Sequence, residues 1–404
     1  MGPSGRSRLA AGAVRAVNWA SRVAKRGSGT VAGGRVGLKI SPKLLTDLAR
    51  DRTTILVSGT NGKTTTTAMV GAGWGTAVTT NSTGANMPAG HVAALAQSSS
   101  VHTVLEVDEA WLPEVVRQVK PVVVVLLNLS RDQLDRASEV RQMAERWQQC
   151  LKAESGFAGT VVANANDPLV VYAAMGATNI RWCDVPTQWM ADAKSCPRCT
   201  LALNLQATTW SCSCGFAKPT IITTTLRDGL SVAETKVPLE LSIPGAFNEA
   251  NAALAITALY EVGVPPLDAA ERINAVREVA GRFTHRQWSG HTLQLLLAKN
   301  PSGFDALLST VQNDEADVWV AINARVADGR DPSWLYDVPF EKLRGHRVWC
   351  FGDRRLDLAT RLDYGGVAFE VVDDLNQVPP SSQPVALLAN YTAFSEWLAR
   401  SAPC

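Results

Sequence analysis

A chain of 404 residues is too long for one ordinary hydrophobic core and calls for two or three domains. Hydrophobic residues make up 46% and charged residues 19%, which fits a soluble globular protein, and a formal net charge of +2 gives no global case for a nucleic-acid or membrane-surface protein. No run of 18 apolar residues occurs, which argues against a transmembrane helix, and the N-terminal stretch lacks the apolar centre of a secretory signal.

Residues 1–45 form a basic lead-in. No Asp or Glu precedes Asp47, while Arg6, Arg8, Arg15, Arg22, Lys25, Arg26, Arg35, Lys39 and Lys43 carry positive charge. Leu9, Val14, Val17, Trp19 and Val23 make the segment partly amphipathic. Arg6 stands where a myristoylation signal needs Ser or Thr. Two readings stand: a helix packed on the first domain, or a basic face near anionic lipid or a phosphorylated substrate.

From about residue 53 to 180 the pattern alternates strand and helix. Strands are predicted at Thr54–Ser58, Thr76–Thr79, Val101–Val107, Val122–Leu127 and Thr160–Asn164, with helices at Trp111–Val119 and Ser138–Ala153 between them. The run Pro121 to Asn128 is apolar almost throughout, as a strand covered by helices on both faces should be. This is a doubly wound parallel sheet. After its first strand comes Gly59-Thr60-Asn61-Gly62-Lys63-Thr64-Thr65 and then a helix. Strand, glycine loop, Lys-Thr and helix make a phosphate-binding loop. Backbone N–H groups and a helix N-terminus face an anion, the lysine reaches the outer phosphates, and the Thr64 hydroxyl is placed for Mg²⁺. Only two residues separate Gly59 from Gly62, fewer than in the common phosphate-loop spacing, and a plain glycine turn is the alternative.

Polar groups cluster just after the predicted strands, at the edge where open α/β sheets bind ligands. They are Asn81 to Asn86, then Glu106, Asp108 and Glu109, then Asn128, Arg131, Asp132 and Asp135, then Asn164, Asn166 and Asp167. Glu106 is the best second Mg²⁺ ligand, because Mg²⁺ takes a few hard oxygens beside phosphate and water. A helix cap or ion pair is the alternative for Asp132 and Asp135.

Residues 183–220 break the alternation and hold Cys196, Cys199, Cys212 and Cys214. With no secretory signal, a reducing compartment is expected, so metal outranks disulfide. Two cysteine pairs twelve residues apart can close a tetrahedral Cys₄ zinc site. Four protein ligands leave no open position, so such a zinc is structural. Arg198 alone is basic within the cluster, which argues against a nucleic-acid reader. Cys150, Cys183, Cys350 and Cys404 read as ordinary thiols. Short strands follow over 221–243, then an alanine-rich helix, Asn248–Glu261. Strands at Leu293–Leu297, Val318–Ile322, Arg347–Cys350, Val367–Val371 and Val385–Leu388 give a second, smaller α/β domain. The expected division is a lead-in at 1–45, an ATP-binding central domain at 46–286 with the 183–220 insertion, and a C-terminal α/β domain at 287–404. In that last domain Ala327 to Trp334 is a loop with two carboxylates, an arginine and a tryptophan expected at the surface; Pro332 should hold Asp331 in a defined direction. An Asp-Gly turn and helix cap is the alternative. Lys299 to Gly303 follows another strand and is expected toward the nucleotide.

These residues carry a family likeness. Gly59 to Thr65, Asn128 with Asp132 and Asp135, Asn164 with Asp167, Phe247 to Asn251, and Gly281-Arg282-Phe283 resemble the Mur ligases, three-domain ATP-dependent enzymes of peptidoglycan synthesis. Gly84 to Met87, Glu106 to Glu109, Arg131 to Arg136, the Cys₄ element, Ala298 to Pro301, Ala327 to Asp331, Ser333-Trp334 and Asn390 to Thr392 are similar to the synthetase subunits of lipid II isoglutaminyl synthases, which work with the glutaminase GatD. The resemblance implies phosphate binding by Thr60, Asn61, Gly62, Lys63, Thr64 and Thr65, Mg²⁺ on Thr64 and Glu106, Asn248 and Asn251 near adenine, and Arg282 near the phosphates. It implies that Asp331 completes, across an interface, a triad whose Cys and His belong to GatD; Asp328 and Asp337, nearby in the sequence, are the alternatives for that role. The implied reaction is ATP-dependent amidation of the α-carboxylate of D-glutamate in lipid II, through an acyl phosphate, in the cytoplasm near the inner face of the membrane.

Departures from the amino-acid-adding Mur ligases are informative. Gln133 stands where those enzymes have His, and Ser138 to Leu151 lacks the lysine that helps hold a second Mg²⁺; Lys152 lies too far along. Both fit ammonia as nucleophile. A ligase adding an amino acid to a muramoyl peptide or folate, and a non-catalytic zinc-ribbon scaffold, are the competing readings.

Overall fold

The computed structural model describes residues 5–404 apart from 24–29, 82–84, 132–139, 188, 280–281, 312–316, 374–377 and 380–382. Asp132, Gln133, Asp135, Gly84 and Gly281 therefore lie outside the described residues. The chain forms two compact units.

The first unit holds the described residues within Met1–Leu129, Glu139–Ser242 and Asn248–Val276. Its nine-stranded sheet runs, in order, Thr235–Val237, Leu230–Val232, Thr224–Thr225, Asn179–Asp184, Thr160–Asn164, Val123–Leu126, Thr53–Ser58, His102–Glu106 and Val78–Thr80. Strands 224–225 through 78–80 of this order pair in parallel, and the strand at 230–232 pairs antiparallel with both 224–225 and 235–237. The central strands are buried on both faces because side chains alternate between two helical layers. Leu56, Leu105, Val124, Leu126 and Val161 join one apolar cluster with the helices Leu112–Val119, Val140–Cys150 and Pro168–Ala174. Ile55, Val57, Val104, Val125 and Val162, their neighbours along the strands, are equally buried. The helix Ala246–Tyr260 is buried along nearly its whole length, as its alanine content anticipates. Gly73 approaches it so closely that a Cβ there would meet Leu259 Cδ1 at 2.5 Å.

The basic lead-in becomes two helices, Gly5–Val23 and Thr30–Ile40, which pack on each other and on the helix Pro88–Gln97. Ala10, Ala11, Val14 and Asn18 face inward. One expectation needs correction. The alternation does not break at residue 183: Asn179–Asp184 is a further parallel strand, with Cys183 buried in it. Its polar composition, Asn179-Ile-Arg-Trp-Cys-Asp184, hid it from a search for apolar runs.

The second unit holds the described residues within Ser130–Ser138, Ile243–Phe247 and Arg277–Cys404. Its seven-stranded sheet runs Phe369–Val371, Val348–Phe351, Val318–Ala321, Val385–Ala389, His291–Leu297, Phe283–Trp288 and Ala402–Pro403. The first five pair in parallel; Phe283–Trp288 is an antiparallel addition joined to His291–Leu297 by Ser289 and Gly290, both at positive φ. Its charged, alternating sequence had no place among the predicted strands. Trp319, Phe351 and Trp397 form the aromatic centre, with ring centroids 5.0–5.5 Å apart.

Candidate active site

The strand Thr53–Ser58 delivers the chain to Gly59 at φ +149°, where a Cβ would lie 2.9 Å from Leu127 Cβ. Gly62 follows at φ +85° and begins the helix Lys63–Gly73; a Cβ there would lie 2.6 Å from Asn251 Oδ1. Only glycine suits either position. The loop is braced from the neighbouring strand. Asn128 O accepts from Thr60 N at 3.0 Å, Asn128 Oδ1 accepts from Asn61 N at 2.9 Å, and Asn128 Nδ2 donates to Asn61 O at 3.0 Å.

Lys63 is buried. Its Nζ donates to Gly59 O at 2.6 Å and Thr60 O at 3.2 Å, and pairs with Glu109 Oε1 at 2.9 Å. The ammonium is thus folded over the mouth of its own loop. Glu109 is steadied in turn by Trp147 Nε1, which donates to Glu109 O at 2.9 Å. Thr64 Oγ1 donates to Glu106 Oε2 at 2.8 Å, and Asn86 Nδ2 donates to Glu106 Oε1 at 3.3 Å. Glu106 is buried, and its backbone is fixed by Asn81, which gives Nδ2 to Glu106 O and takes Glu106 N, both at 2.8 Å. His91 Nε2 lies 2.9 Å from that same carbonyl oxygen. A carbonyl only accepts, so Nε2 carries the proton, and burial lowers the imidazole to about 4, which keeps it neutral.

Adjacent ligands on an octahedral Mg²⁺ with bonds of about 2.1 Å lie roughly 2.9 Å apart. The Thr64 and Glu106 oxygens are 2.8 Å apart, so the donor set fits that ion. Thr65 is buried on the same helix, and Asn248 and Asn251 are buried on the helix Ala246–Tyr260, with Asn251 Nδ2 3.5 Å from Asn248 Oδ1. The fold therefore gathers Gly62 and Asn251 at one place. Arg282 belongs to the second unit, where its N–H donates to Val279 O at 3.0 Å. Asp167 caps the helix Pro168–Ala174 through Leu169 N and Val170 N and accepts from Leu129 N; burial raises its carboxyl to about 6. Sequence reading placed Glu109 among the polar groups after the third strand without giving it a role, and it missed His91 altogether. A carboxylate in the loop just after the third strand was the available signal for the first; a histidine inside an apolar helix gave none for the second.

Cys196, Cys199, Cys212 and Cys214 converge with all Sγ atoms within 4.8 Å of one another. The Cys196–Cys214 and Cys199–Cys212 sulfur pairs are 3.7 and 3.4 Å apart. A tetrahedral zinc with Zn–S bonds of about 2.3 Å separates its sulfurs by roughly 3.8 Å, so the cluster can hold a metal ion of that kind. Two backbone knuckles shape it, Cys196 N to Leu201 O and Cys212 N to Phe216 O, each 2.7 Å. Trp210 and Phe216 anchor the knuckles, and Trp210 Nε1 donates to Ala165 O at 3.1 Å. Cys150, Cys183 and Cys350 are pushed up to about 12 by burial and are inert thiols.

In the second unit Asp331 is exposed. Ser333 N donates to Asp331 Oδ1 at 2.9 Å, and that bond holds its carboxyl below the usual range. Asp328 is buried instead. It accepts from Thr392 N at 2.8 Å, from the Thr392 hydroxyl and from Arg325 N at 3.2 Å, which ties the loop to the helix Tyr391–Arg400. Asp337 faces Arg131 at 3.7 Å. Trp334 is buried against Phe304, ring centroids 5.4 Å apart, so the expected surface tryptophan is a core residue that anchors the loop. Asn300 caps the helix Pro301–Val311, with Oδ1 accepting from Gly303 N at 2.8 Å.

A phosphate loop after the first strand of a doubly wound sheet, a Thr–Glu oxygen pair beside it and a C-terminal α/β unit define a protein of the Mur ligase class. The family profile described as Mur ligase middle domain matches residues 57–259, and that described as MurT ligase C-terminal matches residues 297–394. The chain is 30% identical over 411 aligned residues to the lipid II isoglutaminyl synthase (glutamine-hydrolyzing) subunit MurT of Staphylococcus aureus (strain COL), covering 93% of each. It is 26% identical to the MurT subunit of Streptococcus pneumoniae (strain ATCC BAA-255 / R6), again over 93% of each. Among solved structures it resembles a pseudomurein peptide ligase type C from Methanothermus fervidus, with a TM-score of 0.66 at 16% identity over 89% of this chain and 84% of that one. The chain belongs to the MurT family.

Proposed function

We propose that this chain is the synthetase half of a two-protein amidotransferase that converts the α-carboxylate of D-glutamate in the lipid II stem peptide to the amide. The relatives that match it over 93% of their length are named as subunits of such an enzyme. The observation that carries the reading is the pairing of a complete phosphate-loop network with a separate loop that presents one exposed, ionised carboxylate, Asp331.

ATP and Mg²⁺ supply the phosphoryl group and its charge neutralisation. Gly62, Thr64 and Thr65 offer the phosphates backbone N–H groups at a helix N-terminus, and Thr60 and Asn61, whose own N–H groups are held by Asn128, shape the loop around them. Lys63 leaves its carbonyl and Glu109 partners for the outer phosphates, while Thr64 and Glu106 hold the metal. Asn248 and Asn251 serve the adenine, and Arg282 the phosphates. The substrate carboxylate takes the terminal phosphoryl group, releasing ADP. Ammonia then attacks the acyl carbon, phosphate leaves, and the amide remains. The chain's contribution is to position these groups and neutralise phosphate charge. Zinc on Cys196, Cys199, Cys212 and Cys214 would hold the insertion in shape.

The ammonia comes from a glutaminase partner of the GatD type, in a heterodimer or larger assembly. Asp331 would orient and stabilise the charged form of that partner's histidine, as the carboxylate of a triad does. Asp328 and Asp337 are already engaged, which leaves Asp331 for that task. Incubation with lipid II, ATP and an ammonium salt should yield isoglutamine, ADP and phosphate by mass spectrometry. ATP turnover with free amino acids and none with ammonia would instead place the chain among the amino-acid-adding ligases.

A further inference from the structure

Among the described residues, one face of the lead-in helix Gly5–Val23 is left exposed. Ser7, Ala10, Ala11, Val14 and Asn18 point into the first unit. At 100° per residue, Leu9, Ala16, Trp19, Ala20 and Val23 fall on an arc of about 100° on the opposite side. Leu9 is 74% exposed, Trp19 64% and Val23 64%. A monomer gains nothing from presenting leucine, tryptophan and valine to water on a single ridge.

Charge decides what covers this ridge. Arg8 and Arg15 border it beside Trp19, and both are exposed. Arg35, Lys39 and Lys43, on the segment packed against this helix, are exposed as well. The first acidic residue, Asp47, is engaged by Ser7 Oγ at 2.5 Å and Arg50 at 2.9 Å. An apolar stripe with an indole, bordered by Arg8 and Arg15 on a segment with no acidic residue before Asp47, matches the interfacial zone of an anionic bilayer. No helix among the described residues is long and apolar enough to cross a membrane, so contact would be in-plane. We propose that the outward face of Gly5–Val23 docks on an anionic membrane surface, with Leu9, Trp19 and Val23 at the headgroup boundary and the neighbouring arginines on lipid phosphates.

The inference goes beyond the ligase reading and is tested without its substrate. The full chain is floated with vesicles of phosphatidylglycerol and phosphatidylcholine in equal parts, and with phosphatidylcholine alone, neither containing lipid II. Binding is expected to the anionic vesicles only and to weaken as salt is raised. Arg8→Ala should lower the partition coefficient about fivefold, the factor of one surface cation. The Leu9→Ser/Trp19→Ser double variant should lower it more than about tenfold, with its melting temperature and ATP binding unchanged. Failure of the wild-type chain to float, equal flotation of the double variant, or binding indifferent to anionic lipid would overturn the proposal. So would a wild-type dimer that the double variant dissolves, since the ridge would then belong to a second copy.

Discussion

Lys63 and Asp331 stand at the centres of two loops that differ in nearly every physical respect. Lys63 is buried, held by two carbonyls and Glu109, with Thr64, Glu106, Asn81, His91 and Asn128 completing a closed set of hydrogen bonds. Asp331 is exposed and held by one backbone N–H, on a loop whose rigidity comes from elsewhere, through buried Asp328 and Trp334. The contrast separates two ways of preparing a charge. A group that serves a ligand within its own chain can be walled in and preorganised. A group that serves another protein must stay at the surface, so the fold invests in the loop beneath it.

That comparison breaks first at Asp331. Asp331→Asn should lower glutamine-dependent amidation in the presence of the glutaminase by about 10³–10⁴-fold, by analogy with loss of a triad carboxylate, and leave ammonia-dependent amidation intact. Equal loss with both donors would return Asp331 to a structural role. Lys63→Ala should lower amidation about 10²–10³-fold with either donor. Steady-state rates with the two donors thus distinguish the loops. Next in size is the insertion with the four-cysteine cluster. A strong chelator, or Cys199→Ser, should lower the melting temperature and release zinc measurable by atomic spectrometry, because metal binding and folding are linked. A chain that contains no zinc and melts unchanged would refute the metal assignment. The smallest effect concerns Asp167. Burial raises its pKa to about 6, above the unfolded value, so the native state binds the proton more tightly. Its contribution to stability is fully present below about pH 4 and lost as pH rises through 6. Urea titrations should show the stability of the wild type relative to Asp167→Asn falling by about 3 kcal/mol across that window.

Much of the first unit was legible because parallel strands buried on both faces are written as apolar runs, Val122–Leu127 above all. The glycine loop was legible because Gly59 and Gly62 sit where no other residue fits. The strands Asn179–Asp184 and Phe283–Trp288 were not, since their polar side chains resemble loops. The cysteines could be grouped by spacing alone, as convergence of their sulfurs within 4.8 Å bears out. The bracing of the site was hidden. Glu109, His91 and Asn81 reach Lys63 and Glu106 only through the parallel register of separate strands and helices, which no local pattern encodes. Trp334 misled because a tryptophan in a polar loop reads as exposed, whereas its ring packs on Phe304.

The central claim is that this chain activates a carboxylate for ammonia produced by another protein. The direct measurement is isoglutamine formation from lipid II and ATP under three conditions: ammonium salt, glutamine, and glutamine with the glutaminase partner. Product is expected in the first and third and none in the second. Product from glutamine with this chain alone, or none from ammonium, would contradict the account.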